Sequence, residues 1–378
     1  MAASPRSYEK LAAALRNAGR ARVIGAGTKS DWGAVVTEPR VDISTRKLDS
    51  IIEHNTGDLT AVVQAGVPLA RLREQLAGAQ QMLAIDPPLG AGDAATVGGV
   101  LATADSGPLR HRYGGPRDLV LGMTVALSDG AVARSGGKVI KNVAGYDLAK
   151  LFTGSYGTLG AILEVAVRLH PLPAITATAV GRSDDPAAVA RAAAALTHAA
   201  LEAQCLDVSW AEGSGRVLAR FAGGQSGVQA AEALAALEAA GLVAEIIEDD
   251  AELWDAQRRA QRSADGLLVR VSGVQTLLET QMRAADRAGG SLVGRAAGGL
   301  SWMALPLSSA TDAAATLEDL RRELSPSPCV LLDAPPDVRE RVEVWGVGDG
   351  SAVELMRRVK QRFDPAGACS PGAFVGGI

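Results

Sequence analysis

The chain of 378 residues holds 38 Lys+Arg against 42 Asp+Glu, a formal net charge of −4, with 47% hydrophobic and 21% charged residues. That length suits two domains better than one core, the apolar content excludes a disordered chain, and the acidic balance argues against nucleic acid as a ligand. No apolar run approaches the ~18 residues of a membrane span, and "MAASPRSYEKLAAALRNAGR" lacks a signal-peptide core. The expectation is a cytoplasmic chain with no direct membrane insertion, reaching a membrane only through partners.

In chain order, the first notable element is "RVIGAGTKSDWG", residues 22–33, a strand running into a glycine loop. Gly25 and Gly27 fit a dinucleotide fingerprint, but Ser30 stands where the third glycine belongs and Asp31 where an apolar helix should start, so a nicotinamide Rossmann domain is not expected. The loop Gly25, Ala26, Gly27, Thr28, Lys29 and Ser30 still offers backbone N–H groups, two hydroxyls and an ammonium, a set suited to phosphate or to a tight turn between strands.

Next comes "IDPPLGAGDAATVGGVLATADSGPLRHRYGG", in which Thr96, Val97, Gly98 and Gly99 open a short helix of small residues. A first turn without bulk is expected to let a phosphate or ribose rest on its N–H groups. Arg110, His111, Arg112 and Tyr113 follow as a charged cluster. Residues 86–160 hold 15 of the 43 glycines, and "GGKVIKNVAGYDLAKLFTGSYGTLG" adds Lys138, Lys141 and Lys150 in a chain with few lysines. Asp147 reads as an N-cap. Glycine at this density is expected where backbone closely approaches a ligand.

Pro171 and Pro173 end the strand after "GTLGAILEVAVRL" and mark a boundary. Beyond residue 184 alanine-rich helical patterns alternate with β-branched runs, the texture of helices packed on a sheet, with no internal repeat evident. After the Pro-rich break at 325–337 come a helix, "SAVELMRRVKQRF", and the tail "DPAGACSPGAFVGGI". Cys205, Cys329 and Cys369 are far apart with no C-x-x-C pair, which predicts buried free thiols and no metal or cluster site.

Together "IGAGTK", "AATVGG", "SGPLRHRYGG", "GGKVIKNVAGYDLAKL", "GSYGTLG" and "FDPAGACSPG" resemble the FAD-binding oxidoreductases of the vanillyl-alcohol oxidase (PCMH) type, most of all the FAD-binding E-subunit family of bacterial glycolate oxidases. The likeness is dense over 22–173, thin over 174–325 and returns at 326–378. It implies an α+β fold: a PCMH-type FAD-binding domain of two subdomains over 1–173, an α+β cap or substrate domain over 174–335, and a C-terminal segment, 336–378, packing back on the FAD domain.

Carried over position by position, the resemblance implies that Gly25 to Ser30 line the FAD pyrophosphate, and that Pro88, Leu89, Thr96, Val97, Gly98 and Gly99 flank pyrophosphate and ribityl. Ser106, Gly107, Tyr146, Gly157, Thr158, Leu159 and Gly160 would approach the isoalloxazine, and Ile162 the adenine end. Covalent members carry a histidine in the first loop, and "GAGTKSDW" has none, so noncovalent FAD is expected. Ser370 stands where asparagine is common.

Flavin chemistry asks for a cation near the ring and a base for a hydroxy-acid proton. Lys141 is the expected cation, and His111 and Tyr146 the expected bases. The implied function is the FAD subunit of a multi-subunit glycolate (2-hydroxy acid) oxidase, exchanging electrons with a second flavoprotein and an iron–sulfur protein. The alternatives are a stand-alone FAD-dependent 2-hydroxy-acid dehydrogenase and a complex scaffold whose FAD is structural or lost.

Overall fold

Ser7 caps the helix Tyr8–Asn17 by accepting the Lys10 N–H, and Leu11, Ala12 and Leu15 turn one face inward at helical spacing. That face nucleates a core with Ala21, Ile43, Leu48, Ala126, Leu163 and Cys369, which come from two separate sheets, a loop and the tail. The computed structural model describes residues 3–38, 40–138, 147–307, 309–346 and 350–378. Its chain divides into two compact units. The first comprises Met1–Ser106, Gly114–Leu172 and Val347–Ile378, and the second Gly107–Tyr113 and Pro173–Gly346.

Among the described residues the first unit holds three sheets, the smallest an antiparallel pair of Gln81–Met82 with His170–Pro171. Ala21–Ile24 pairs in parallel with Val41–Ser44. A five-stranded antiparallel sheet runs in the order Ile51–Asn55, Thr60–Gln64, Ala161–Arg168, Val120–Ala126, Val132–Gly136. Its central strand, "AILEVAVR", turns Ala161, Leu163, Val165 and Val167 to one face and is buried except at Glu164 and Arg168.

The C-terminal segment returns to this unit as an extra edge. The Ala21 N–H donates to the Ala368 carbonyl at 2.7 Å, and the Ser370 N–H to the Ala21 carbonyl at 2.7 Å. Lys360, in the helix Ser351–Phe363, fastens that return. Its ammonium donates to the carbonyls of Thr158 and Cys369, both at 2.7 Å, and pairs with the fully buried Asp364 carboxylate. Asp364 also accepts the N–H groups of Ala368 and Cys369. Burial pushes the Asp364 carboxyl up, but the bonds from Lys360 and Cys369 outweigh it and hold the group below the usual carboxylate range.

The second unit contains an eight-stranded antiparallel sheet in the order Val243–Ile247, Thr176–Ser183, Ser214–Ala222, Cys205–Ala211, Ser291–Arg295, Leu300–Leu305, Leu267–Ser272, Cys329–Asp333. Read along the chain it is two consecutive βαββαβ modules with the same strand order, joined where each contributes its second strand. No repeat is visible in the sequence, because the modules share a pattern of elements rather than residues. Asp207 and Arg295 face each other across that seam. Both are buried, and they are ion-paired to each other. Arg295 also lies 4.8 Å from the Trp302 ring and donates through Nε to the Gly107 carbonyl at 3.1 Å. Together with Gln204, which bonds the Tyr113 hydroxyl at 3.2 Å, this ties Gly107–Tyr113 into the second unit.

All three cysteines are free and buried. Burial pushes the Cys329 thiol up to about 11 and the Cys369 thiol up to about 12, so neither is a thiolate at neutral pH. No helix among the described residues is long and apolar enough to cross a membrane.

Replacing Lys360 with Met should destabilise the first unit by about 3–5 kcal/mol, because Asp364 would be left buried and uncompensated; chemical denaturation would measure it. The depressed pKa of Asp364 has a definite sign. Its contribution is complete above the unfolded carboxyl value of about 4 and is lost as pH falls through the folded value. Acid denaturation of Asp364→Asn should therefore lack that share of the wild-type loss, whatever its stability at neutral pH.

Candidate functional site

A cavity of about 120 Å³ opens in the first unit beside the end of the strand Ala21–Ile24. The whole glycine loop, Gly25 to Ser30, lines it, and so do Thr96, Gly98 and Gly99 from the second glycine segment. Gly157, Gly160 and Ile162 close it from the third. The three loops singled out in the sequence are thus brought together by non-local packing.

The loop after Ile24 has the conformation of a donor cradle. Gly27 has φ +81°, a left-handed angle that an L side chain resists. The turn behind it is fixed by Ser30, whose N–H and hydroxyl both donate to the Gly27 carbonyl, at 3.1 and 2.9 Å. Among the described residues no protein acceptor takes the N–H groups of Gly25, Ala26 or Gly27. Successive N–H groups in such a turn suit an anion.

The second segment differs from its expectation. The helix Val97–Thr103 spends its first N–H groups on the protein: Val97 donates to the Val67 carbonyl at 2.9 Å and Gly98 to the Ala65 carbonyl at 2.8 Å. Gly99 donates to the Thr96 hydroxyl at 3.3 Å. That N-terminus is therefore no open phosphate seat. The glycines here and in the first loop also answer to protein atoms. A Cβ on Gly98 would stand 2.6 Å from the Ala65 Cβ, and one on Gly25 only 2.0 Å from the Thr96 hydroxyl oxygen. Their bareness lets loop, helix and strand end meet, so what the sequence suggested as room for a ligand is partly room for backbone.

The cations of the cavity are not equivalent. Lys29 is buried with Asp105, Nζ to Oδ2 at 3.3 Å. It also lies 3.5 Å from the Pro88 carbonyl and 5.7 Å from the centre of the Trp32 ring. Its charge is compensated in place, so it fixes the loop more than it offers a net charge. Arg22 makes a two-pronged pair with Asp42 at 2.9 and 2.8 Å, and the Asp42 hydrogen bond raises the guanidinium pKa further. Arg40 also lines the cavity, and no described carboxylate pairs with it.

Other expected positions lie elsewhere. Pro88 is buried behind Lys29, and the half-buried Leu89 accepts the Ala95 N–H at its carbonyl at 2.9 Å. Val97 belongs to the core. Thr158 and Leu159 are buried, the Thr158 hydroxyl bonding the Ser155 carbonyl at 2.7 Å. Ser106 is buried, with its N–H on the Asp105 carboxylate at 3.0 Å. Gly107 and His111 belong to the second unit. Burial, then Arg112, pushes the His111 imidazole below its ordinary value, so it is neutral at pH 7. Lys141 and Tyr146 lie outside the described residues. Asp147 occupies the cap position of Leu148–Phe152 without a side-chain capping bond, and pairs instead with Lys150 at 3.2 Å.

Sequence reasoning missed Arg22, Trp32, Arg40, Thr45, Tyr156 and Ser370 as cavity residues. Tyr156 and Ser370 have φ of +55° and +42°. Non-glycine residues held in the left-handed region gather at functional sites, and asparagine tolerates that region better than serine. Neither angle shows in the sequence.

Comparisons agree with this geometry. Residues 1–136 match the family described as FAD binding domain. Glycolate oxidase subunit GlcE of Escherichia coli (strain K12) is 38% identical over 149 residues, 39% of this chain and 42% of that protein. D-lactate dehydrogenase of Archaeoglobus fulgidus is 37% identical over 171 residues, 44% of this chain and 38% of that one. The chain thus spans less than half the length of these curated relatives. A solved structure of alkyldihydroxyacetonephosphate synthase superposes with a TM-score of 0.69 at 16% identity, covering 97% of this chain and 75% of that one. At that identity the likeness establishes a shared α+β fold.

If Gly98 serves packing, Gly98→Ala should lower the stability of the ligand-free protein by about 1–3 kcal/mol through overpacking against Ala65. A variant with unchanged denaturation midpoint would return this glycine to a purely ligand-facing role.

Proposed function

We propose, on the premise that residues 1–136 belong to the FAD-binding domain family, that this chain is the FAD-binding subunit of a multi-subunit 2-hydroxy-acid (glycolate) oxidase. The observation that carries this reading is the cavity of the first unit, where the Gly25–Gly27 N–H groups, the Ser30 turn and the 157–162 segment converge. The residues fit the group. A pyrophosphate needs several converging donors that the protein has not already used, and the loop has them. The two relatives named above, a glycolate oxidase subunit and a D-lactate dehydrogenase, support the substrate class.

Bound flavin would supply the acceptance of two electrons and their release one at a time. The chain's own part is to hold and orient it. Loop 25–30 holds the phosphates through backbone donors, with the Lys29 charge paired to the buried Asp105 beside it. With no histidine in that loop, attachment is noncovalent. Lys141 and Tyr146 are assigned as ring-side cation and base from the needs of flavin chemistry. His111, neutral at pH 7, is the proton acceptor if this chain oxidises the hydroxy acid itself. Electrons pass to or from a partner flavoprotein and an iron–sulfur protein. Among the described residues no group of three or more His, Cys, Asp or Glu is placed to hold a metal ion.

The test is the visible spectrum of the purified chain before and after anaerobic glycolate or D-lactate. Flavin bands that acid precipitation releases into solution, and that stay oxidised until the partner subunits are added, are the expected result. Bleaching by the hydroxy acid alone would favour a stand-alone dehydrogenase. A chain that is colourless and takes up no FAD would make it a scaffold.

A further inference from the structure

Three cationic side chains line the cavity, and two are already answered by carboxylates: Lys29 by Asp105 and Arg22 by Asp42. Arg40, at the start of the strand Val41–Ser44, is the exception. It is half-buried and lines the same cavity, and among the described residues no carboxylate pairs with it. A partly desolvated guanidinium close to another arginine is unfavourable unless something anionic compensates it. Burial and then Arg22 push its pKa down, with only the already committed Asp42 acting the other way among its nearer charges. The neighbouring strand adds no relief, because Arg22 sends both prongs of its guanidinium to Asp42.

We infer that Arg40 is the counter-charge for the phosphate groups of the bound dinucleotide, contributing the net positive charge that the neutralised pairs Lys29–Asp105 and Arg22–Asp42 do not. The assignment rests on the FAD reading above and adds to it a specific residue outside every motif of the resemblance. Division of labour follows from the geometry. The backbone donors of Gly25 to Gly27 give direction, and Arg40 gives charge. The pre-existing ion pairs keep the other two cations from pulling the ligand out of register.

The test is titration of FAD into the deflavinated full chain, followed by flavin fluorescence, for wild type, Arg40→Gln, Arg40→Lys and Arg20→Gln. Arg20 lies nearby on the same side of the sequence, pairs with Glu38 and does not line the cavity. Loss of one charge-assisted contact should weaken FAD binding by about tenfold or more in Arg40→Gln, with Arg40→Lys keeping most of the affinity. Added salt should weaken wild type more than Arg40→Gln. Arg20→Gln should bind as wild type does.

The inference is overturned if Arg40→Gln binds FAD like wild type, or if Arg40→Lys loses as much as Arg40→Gln. It also fails if Arg20→Gln loses as much, which would make the effect one of general field. A lowered thermal midpoint of ligand-free Arg40→Gln would make the residue structural and sink the assignment as well. Failure of wild type to bind FAD at all would be a different result, striking the proposed function and not this residue.

Discussion

The first unit depends on one ammonium. Lys360 gathers the carbonyls of Thr158 and Cys369 and the carboxylate of Asp364 around a single charge. Thr158 belongs to the loop that carries Gly157 and Gly160, and Cys369 precedes Ser370, so both walls contributed by these segments are set from the same point. Asp364 in turn organises the turn through the Ala368 and Cys369 N–H groups, which lets the tail run beside Ala21. The strand that leads into the glycine loop is therefore held between Val41–Ser44 and the last residues of the chain. A partly buried ammonium is costly unless its donors are used, and here three acceptors meet it.

The same economy of charge runs through the cavity. Two of its cations are neutralised by carboxylates supplied from the unit itself, which makes them positioning elements: Lys29 pins the glycine loop against the Asp105–Ser106 segment, and Arg22 ties the two parallel strands together. Glycine is used in the same way. At Gly25 and Gly98 the missing Cβ admits protein atoms, so that a loop, a helix start and a strand end can share one small volume. Anion-binding capacity is left to the N–H groups of the first loop, and net charge to Arg40.

The second unit shows how a fold can repeat where a sequence does not. Its two βαββαβ modules meet at the pairing of Cys205–Ala211 with Ser291–Arg295, and the buried Asp207–Arg295 pair marks the register of that seam. A one-residue slip would place these charges on opposite faces of the sheet, each without its partner. Arg295 also reaches Gly107, which is why a short piece of chain from the glycine-rich region is built into this unit.

Local periodicity and composition determined a good deal of this protein. The helix read as "SAVELMRRVKQRF" has those bounds, the short helix opened near Thr96 and the strand into the first glycine loop were legible, and the spaced cysteines are buried thiols. Six motifs in order were enough to suggest an FAD-binding domain, because short loops of glycine, hydroxyl and lysine keep their chemistry wherever they fall. Tertiary structure alone decided which cation is compensated, since pairing Arg22 with Asp42 or Lys29 with Asp105 depends on register and on contacts across many residues. It also decided that the Val97–Thr103 helix gives its first N–H groups to 65–67, that Tyr156 and Ser370 take left-handed angles, and that Gly107–Tyr113 joins the second unit. Each is a matter of what lies opposite a residue in space, and a linear pattern carries the chemistry of a side chain without the identity of its neighbour.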